Sequence, residues 1–231
     1  MQETYSTFSK QYWISALKEF TKLRSLVVCA LITALRIAVK AIRIPIIPPS
    51  LYVSLDFVVN AVGAMVYGPL LGMAGGAVSD TIGAFVFPVD TYFFPYIFIE
   101  MASPFVYGLF LYKKKLNPTK IIFARFAVVV VCNLLLNPIV GYWFNVWRGT
   151  EAIYKFVTIP RLVKNLSLLP AECIVLIVLL QSIAVPLAKM GYVPQQNGKI
   201  AIGKREILLL VVLTAVAVGA VVFAIFYYTN K

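Results

Sequence analysis

Apolar residues in this chain fall in long runs separated by short polar stretches, and the runs have membrane-spanning length. The pattern predicts spans over residues 26–42, 53–67, 70–87, 96–112, 118–147 and 160–189. Pro160 suits the first turn of the sixth. A polar linker, 191–204, leads to a last apolar run over 207–228. Pro45, Pro48 and Pro49 mark a loop after the first span, Gly68-Pro69 a tight turn between the second and third, and residues 88–95 the loop before the fourth. Residues 1–24 lack the apolar stretch of a signal peptide. Within them Trp13, Leu17 and Phe20 recur at i, i+4 and i+7, with Lys18, Glu19 and Lys22 on other faces. That predicts an amphipathic helix lying in the membrane surface, a frayed charged tail being the alternative.

The expected architecture is therefore an all-α, polytopic membrane helix bundle. It has an amphipathic segment over 1–24, a six-helix membrane domain over 25–190, and a linker with a seventh, C-terminal membrane helix over 191–231.

Composition supports the same class. Hydrophobic residues make up 61% of the 231, and charged residues 13%, about half the usual share. Mean hydropathy is +0.89. A soluble enzyme, a disulfide-rich secreted scaffold and a disordered chain are all excluded. The net charge of +12 would suggest nucleic acid in a soluble protein. Here the basic residues sort by loop, so a nucleic-acid partner is not expected. Lys10, Lys18, Lys22 and Arg24, then Lys113, Lys114, Lys115 and Lys120, then Lys189, Lys199, Lys204 and Arg205 fall on one side if each span crosses once. The positive-inside rule makes that side cytoplasmic, with the N-terminus on it. Cys29, Cys132 and Cys173 sit in apolar runs without metal-ligand spacing and suit small core positions.

Charges within or at the ends of spans carry the candidate chemistry: Arg36, Lys40, Asp56, Asp80, Glu100, Arg161, Lys164 and Glu172. Each costs about 2.5–3.5 kcal/mol near a helix centre, so such residues turn inward and mark a functional path or lock the bundle by pairing. On the first span, Arg36, Lys40 and Arg43 lie roughly 150° from Ala30, Ala34 and Ala38. One face is a positive wall. The other is a small-residue ridge for docking another helix, in a partner or in the same chain. At the start of the sixth span Arg161, Lys164 and Asn165 share a face at a helix N-terminus, where anions are favoured. The two basic clusters predict an outer pocket for an anionic solute, with Arg161 able to fork onto a carboxylate. Asp80 either accepts hydrogen bonds from an amino-heterocycle or pairs with Arg36. Tyr96 and Trp143 belong to an interfacial aromatic belt or stack on a planar ligand. Gly72, Gly76, Ser79 and Gly83 form a small face suited to tight packing. With no histidine, no Walker loop and no paired-carboxylate metal motif, the sequence points to no catalytic residue, cofactor or metal.

The Ala30-Ala34-Ala38 ridge resembles that of the substrate-binding subunit of energy-coupling factor (ECF) transporters. So does Gly63-Ala64-Met65-Val66-Tyr67-Gly68-Pro69, followed by Gly72 and by Asp80-Thr81-Ile82-Gly83. Phe87-Pro88, Phe94-Pro95, Tyr107-Gly108-Leu109-Phe110 and above all Pro160-Arg161-Leu162-Val163-Lys164-Asn165-Leu166 continue it, through Leu169-Pro170. Together they look like the folate branch of that family. The resemblance implies a six-helix bundle, not an enzyme, that captures a vitamin at its extracellular face. A membrane coupling subunit, docked on Ala30, Ala34 and Ala38, and two ATPase subunits would then drive uptake as in an ABC importer. Asp56, Asp90 and Tyr96 depart from the family's pattern near the outer loops, and an added carboxylate would repel a dianionic tail. A different vitamin-like solute, or a non-transporting membrane scaffold or enzyme, are the alternatives.

Overall fold

The computed structural model describes residues 4–41, 44–47, 51–53, 55–87, 92–150, 154, 156, 158–194 and 203–229. A short helix, α1 (Lys10–Lys18), is capped by Ser9, whose side chain accepts the Tyr12 N–H. A 3₁₀ turn joins it to α2 (Leu23–Ala41). A two-stranded antiparallel hairpin, β1 (Ile44–Ile47) and β2 (Leu51–Val53), pairs Ile44 with Val53 and Ile47 with Leu51. Then follow α3 (Asp56–Val86), α4 (Ile97–Leu111), α5 (Pro118–Val128), α6 (Asn137–Trp147), α7 (Ile159–Lys189) and α8 (Lys204–Thr229).

The helix α3 is not one rod. Gly68 sits at φ 86° and ψ 179°, a conformation other residues rarely adopt, and Pro69 follows it. In a straight helix Asp56 and Asp80 would lie about 36 Å apart. Yet Asp56 is 3.8 Å from Arg36 and Asp80 is 3.7 Å from Lys40, while Arg36 and Lys40 both pair with Glu100, at 2.9 and 3.1 Å. The chain must double back at Gly68-Pro69, giving two antiparallel arms, 56–67 and 69–86. The tight turn expected there is present. The first arm starts at Asp56 rather than at residue 53, because Val53 completes the hairpin.

Helices α5 and α6 are joined by a π-helical stretch, Val129–Leu136, so Pro118–Trp147 forms one long crossing. Among the described residues, five stretches are long and apolar enough to cross a membrane, with both arms of α3 counted together, and α2 adds a sixth rod of about 28 Å. The result is an all-α membrane bundle of six core crossings plus α8. Leu209, Leu210 and Leu213 hold α8 to the core, and Ala217 is buried there. Its other faces, including Val212, Val216 and Phe223, are exposed, as suits a helix bathed in lipid.

Close packing of α3 on α4 depends on glycine. A Cβ on Gly76 would lie 2.4 Å from the Glu100 carbonyl oxygen, and one on Gly108 2.6 Å from Pro69 Cα. The small face of the third span is thus used inside the chain. Cys29, Cys132 and Cys173 are buried and unbridged.

The basic segments share one end of the bundle. The Tyr5 N–H donates to the Lys113 carbonyl, and the Arg24 guanidinium reaches the Met190 carbonyl and stacks on Tyr192. Here α1 docks by Tyr12 and Ala16, both fully buried, with the Tyr12 hydroxyl donating to the Gly108 carbonyl at 2.7 Å. Leu17 and Phe20 face outward. Glu19, placed by the helical pattern on a polar face, is buried instead. Its carboxylate accepts from Tyr112, Lys22 and Ser25.

Candidate binding cleft at the opposite end

At the other end, α2 carries Arg36 and Lys40 into the bundle. Arg36 is buried, with 1% of its side chain exposed. Its partners are Glu100 and Asp56, and Lys40 bridges Glu100 and Asp80. The expected positive wall is therefore a lattice of two cations against three carboxylates. Asp80 pairs with Lys40, not Arg36, and also accepts from the Tyr92 hydroxyl at 3.1 Å. Arg43 and Asp90 lie outside the described residues. Asp56 accepts an Asn60 Nδ2–H at 2.7 Å besides facing Arg36, which offsets its repulsion toward an anionic solute.

Behind this lattice lies a cavity of about 290 Å³ between the first arm of α3, α4, the long crossing of α5 and α6, and α7. Asp56, Asn60, Glu100, Ser103, Asn133, Asn137, Lys164 and Asn165 give it a polar lining, with Phe57, Ile99, Val128 and Leu168 as apolar walls. Arg125 and Glu172 also line it. They pair at 2.7 Å, and the guanidinium also donates to the Tyr107 hydroxyl at 3.1 Å and covers the Phe57 ring. A π-helical stretch widens the turn of a helix and often marks functional sites. Here it carries Cys132 and Asn133 to the cavity, where Asn133 donates to Asn165 at 2.6 Å.

Of the residues singled out by sequence, Asp56, Glu100, Lys164, Asn165 and Glu172 line the cavity directly. Arg36 and Lys40 stand one layer back and hold Asp56 and Glu100 in its wall, and Asp80 pairs with Lys40. Arg161 sits one turn above Lys164. It donates to the Phe156 carbonyl at 3.1 Å and the Tyr154 hydroxyl at 3.4 Å, and its own carbonyl accepts from Asn165. Among the described residues neither Arg161 nor Lys164 forms an ion pair, whereas Arg36, Lys40 and Arg125 each do. Among the described residues, the start of α7 thus carries two cations outside any ion pair, with Lys164 sharing the cavity lining with Asp56, Glu100 and Glu172. Tyr96 packs edge-on against Phe93 and Phe144, and Trp147 rather than Trp143 joins that cluster. Trp143 is 49% exposed.

Sequence reasoning passed over Arg125, Asn60, Asn133 and Asn137. Arg125 carried the same signal as its peers, a charge inside an apolar run. The asparagines carried none, because a neutral amide in a span gains meaning only from what faces it.

On the opposite side of α2, Ala30, Ala34 and Ala38 are exposed, flanked by exposed Val27, Leu31 and Leu35. The ridge is not consumed by packing against the described residues.

Comparisons with known proteins agree on a family. Residues 20–189 match the family described as the S component of the ECF-type riboflavin transporter. A folate transporter, FolT, of Clostridium novyi is 32% identical over 128 residues, covering 55% of this chain and 72% of that protein. FolT of Leuconostoc mesenteroides is 29% identical, covering 64% and 80%. A crystal structure of FolT bound with folic acid superposes with a TM-score of 0.56 at 25% identity, over 66% of this chain and 89% of that one.

Proposed function

The chain belongs to the S-component family of ECF-type riboflavin transporters, and on that footing we propose that it is the membrane-embedded binding subunit of an ECF importer for folate or a related pterin. One observation carries the choice of ligand. A polar cavity with an amide-rich lining has Lys164 at its α7 edge and Arg161 one turn along, and among the described residues neither cation forms an ion pair. Asn60, Asn133, Asn137 and Asn165 offer donors and acceptors to the edge of a planar amino-heterocycle. Phe57 and Ile99 supply apolar faces for its ring. Lys164 and Arg161 suit an anionic tail. Riboflavin, for which the matched family is described, has a planar ring but a neutral ribityl chain and would leave those cations unanswered.

The role proposed is capture and delivery, not catalysis. The cationic end would face the cytoplasm, with the N-terminus there, and the cleft would open outside. The exposed Ala30-Ala34-Ala38 ridge would dock a membrane coupling subunit, which two ATPase subunits drive. Residues 1–24 would lie along the cytoplasmic membrane surface, and residues 191–231 would supply a linker and an added membrane helix.

Calorimetric titration of the purified chain with folate and, separately, with riboflavin tests this reading. Saturable folate binding at least about tenfold tighter than riboflavin binding is expected. Preference for riboflavin would move the substrate while keeping the family.

A further inference from the structure

The basic end holds a second cavity, of about 550 Å³, far from the cleft. It lies between residues 4–8 and the loop that joins α4 to α5. Lys113, at φ 54°, turns the chain back after α4. The Tyr5 N–H bonds the Lys113 carbonyl, and the Thr7 hydroxyl bonds the Leu109 carbonyl at 2.9 Å, tying the N-terminal segment over the loop. The ammonium groups of Lys114, Lys115 and Lys120 line the cavity with the hydroxyls of Ser6 and Thr7, and no carboxylate is among its lining residues.

Lysines that merely record membrane orientation would spread apart in water. These converge. Lys114 is half-buried and donates only to neutral acceptors, the Thr7 hydroxyl and the Leu109 carbonyl. Lys120 donates to the Lys115 carbonyl at 3.2 Å. Burial, and then the neighbouring Lys120 charge, push the Lys114 pKa below the usual lysine value. Among the described residues, none of the three pairs with a carboxylate. Among the described residues, the cavity therefore gathers three ammonium groups beside two hydroxyls, with no carboxylate in its lining. At its rim Phe8 is 98% exposed, an aromatic ring placed beside a cationic pocket at the end of a membrane bundle.

We propose that this cavity binds a phosphate group, presented by the headgroup of an anionic phospholipid, with Phe8 entering the adjoining lipid. Three ammonium groups more than answer the single negative charge of a phosphodiester, and the exposed Phe8 ring at the rim fits an acyl boundary rather than free solution. A lipid held there would pin residues 4–8 to the loop and fasten α1 to the bundle.

Native mass spectrometry of the full chain, released from vesicles of equal phosphatidylglycerol and phosphatidylcholine, tests it. The wild type should retain phosphatidylglycerol in preference. A Lys114→Gln/Lys115→Gln/Lys120→Gln variant should retain at least about tenfold less, and the matching Lys→Arg variant should keep it. Should the triple variant not fold, Lys115→Gln/Lys120→Gln, which changes exposed side chains only, carries the same comparison. Folate titration at the far end checks folding in each case. A wild type that retains no phosphatidylglycerol but gains thermal stability from millimolar inorganic phosphate, with the Gln variant gaining none, would place a phosphate site there and overturn its lipid source. Equal retention by wild type and the Gln variants, or an equal loss on Lys10→Gln/Lys18→Gln, would reduce the effect to diffuse surface charge and overturn the site.

Discussion

Replacing Gly76 by alanine should disturb both packing and binding, because one atom joins them. The added Cβ would lie 2.4 Å from the Glu100 carbonyl oxygen, 3.0 Å from its carbonyl carbon and 3.2 Å from Met101 Cα. All three are backbone atoms of α4, so no side-chain rotation relieves the clash. Ordinary contact begins near 3.4 Å, and α4 must retreat by about 1 Å at this point. Overpacking of this kind costs about 1–3 kcal/mol. At about 2 kcal/mol the thermal midpoint of a chain this size falls by about 4–8 °C. Glu100 is also the carboxylate that Arg36 and Lys40 share, at 2.9 and 3.1 Å, and it lines the cleft. The same retreat lengthens both ion pairs, so folate affinity should fall with stability. Gly219→Ala on α8, where a Cβ meets nothing within 4 Å, is the control and should leave both unchanged. Thermal unfolding in detergent and folate titration on the same preparations read the two effects. An unchanged midpoint and affinity in Gly76→Ala would show that Gly76 does not couple the α3–α4 contact to the cleft.

Other substitutions probe separate parts. Arg36→Ala removes the buried cation between Asp56 and Glu100, leaving Glu100 to Lys40 alone, and should destabilise by about 3–5 kcal/mol in chemical unfolding. Gly68→Ala forces a side chain into a glycine conformation against the Tyr112 ring at 3.2 Å, and should cost about 1–3 kcal/mol in the same assay. Ala34→Trp adds bulk to an exposed ridge. It should leave folding and folate binding intact while abolishing co-purification with the coupling and ATPase subunits, and an intact complex would count against docking there.

The spans were legible because lipid demands long apolar runs, and Gly68-Pro69 was legible as a turn because few other pairs can make one. The hairpin was not. Strands of four and three residues, one containing Pro45, are too short to show alternation, and the prolines around them suggested only a loop. The π-helical stretch was equally hidden, since Val129–Leu136 is almost wholly apolar and shows no period to shift. In the cleft, the charges could be picked out one by one from their cost in lipid, but their partners could not. Arg36 and Lys40 looked like a positive wall because the carboxylates that neutralise them come from α3 and α4, brought together by the reversal at Gly68 and the glycine-mediated approach of α4. Among the described residues, Lys164 and Arg161 form no such pair, so their reading from sequence passes into the proposal unchanged. Glu19 went astray for the same reason in reverse: its helical position looked solvated, and only the folded chain brings Tyr112 over it.

In the proposed function, cations at the start of α7 hold the anionic tail of a pterin-type ligand. The most direct test is the affinity of folate relative to a neutral folate diamide, measured by calorimetry for the wild type and for Lys164→Ala. A charge-assisted hydrogen bond to the tail is worth about 1.5–3 kcal/mol, so the wild type should favour folate by about tenfold or more and the variant should lose most of that preference. If Lys164→Ala weakens both ligands alike, or neither, the tail lies elsewhere and the account of the cleft is contradicted.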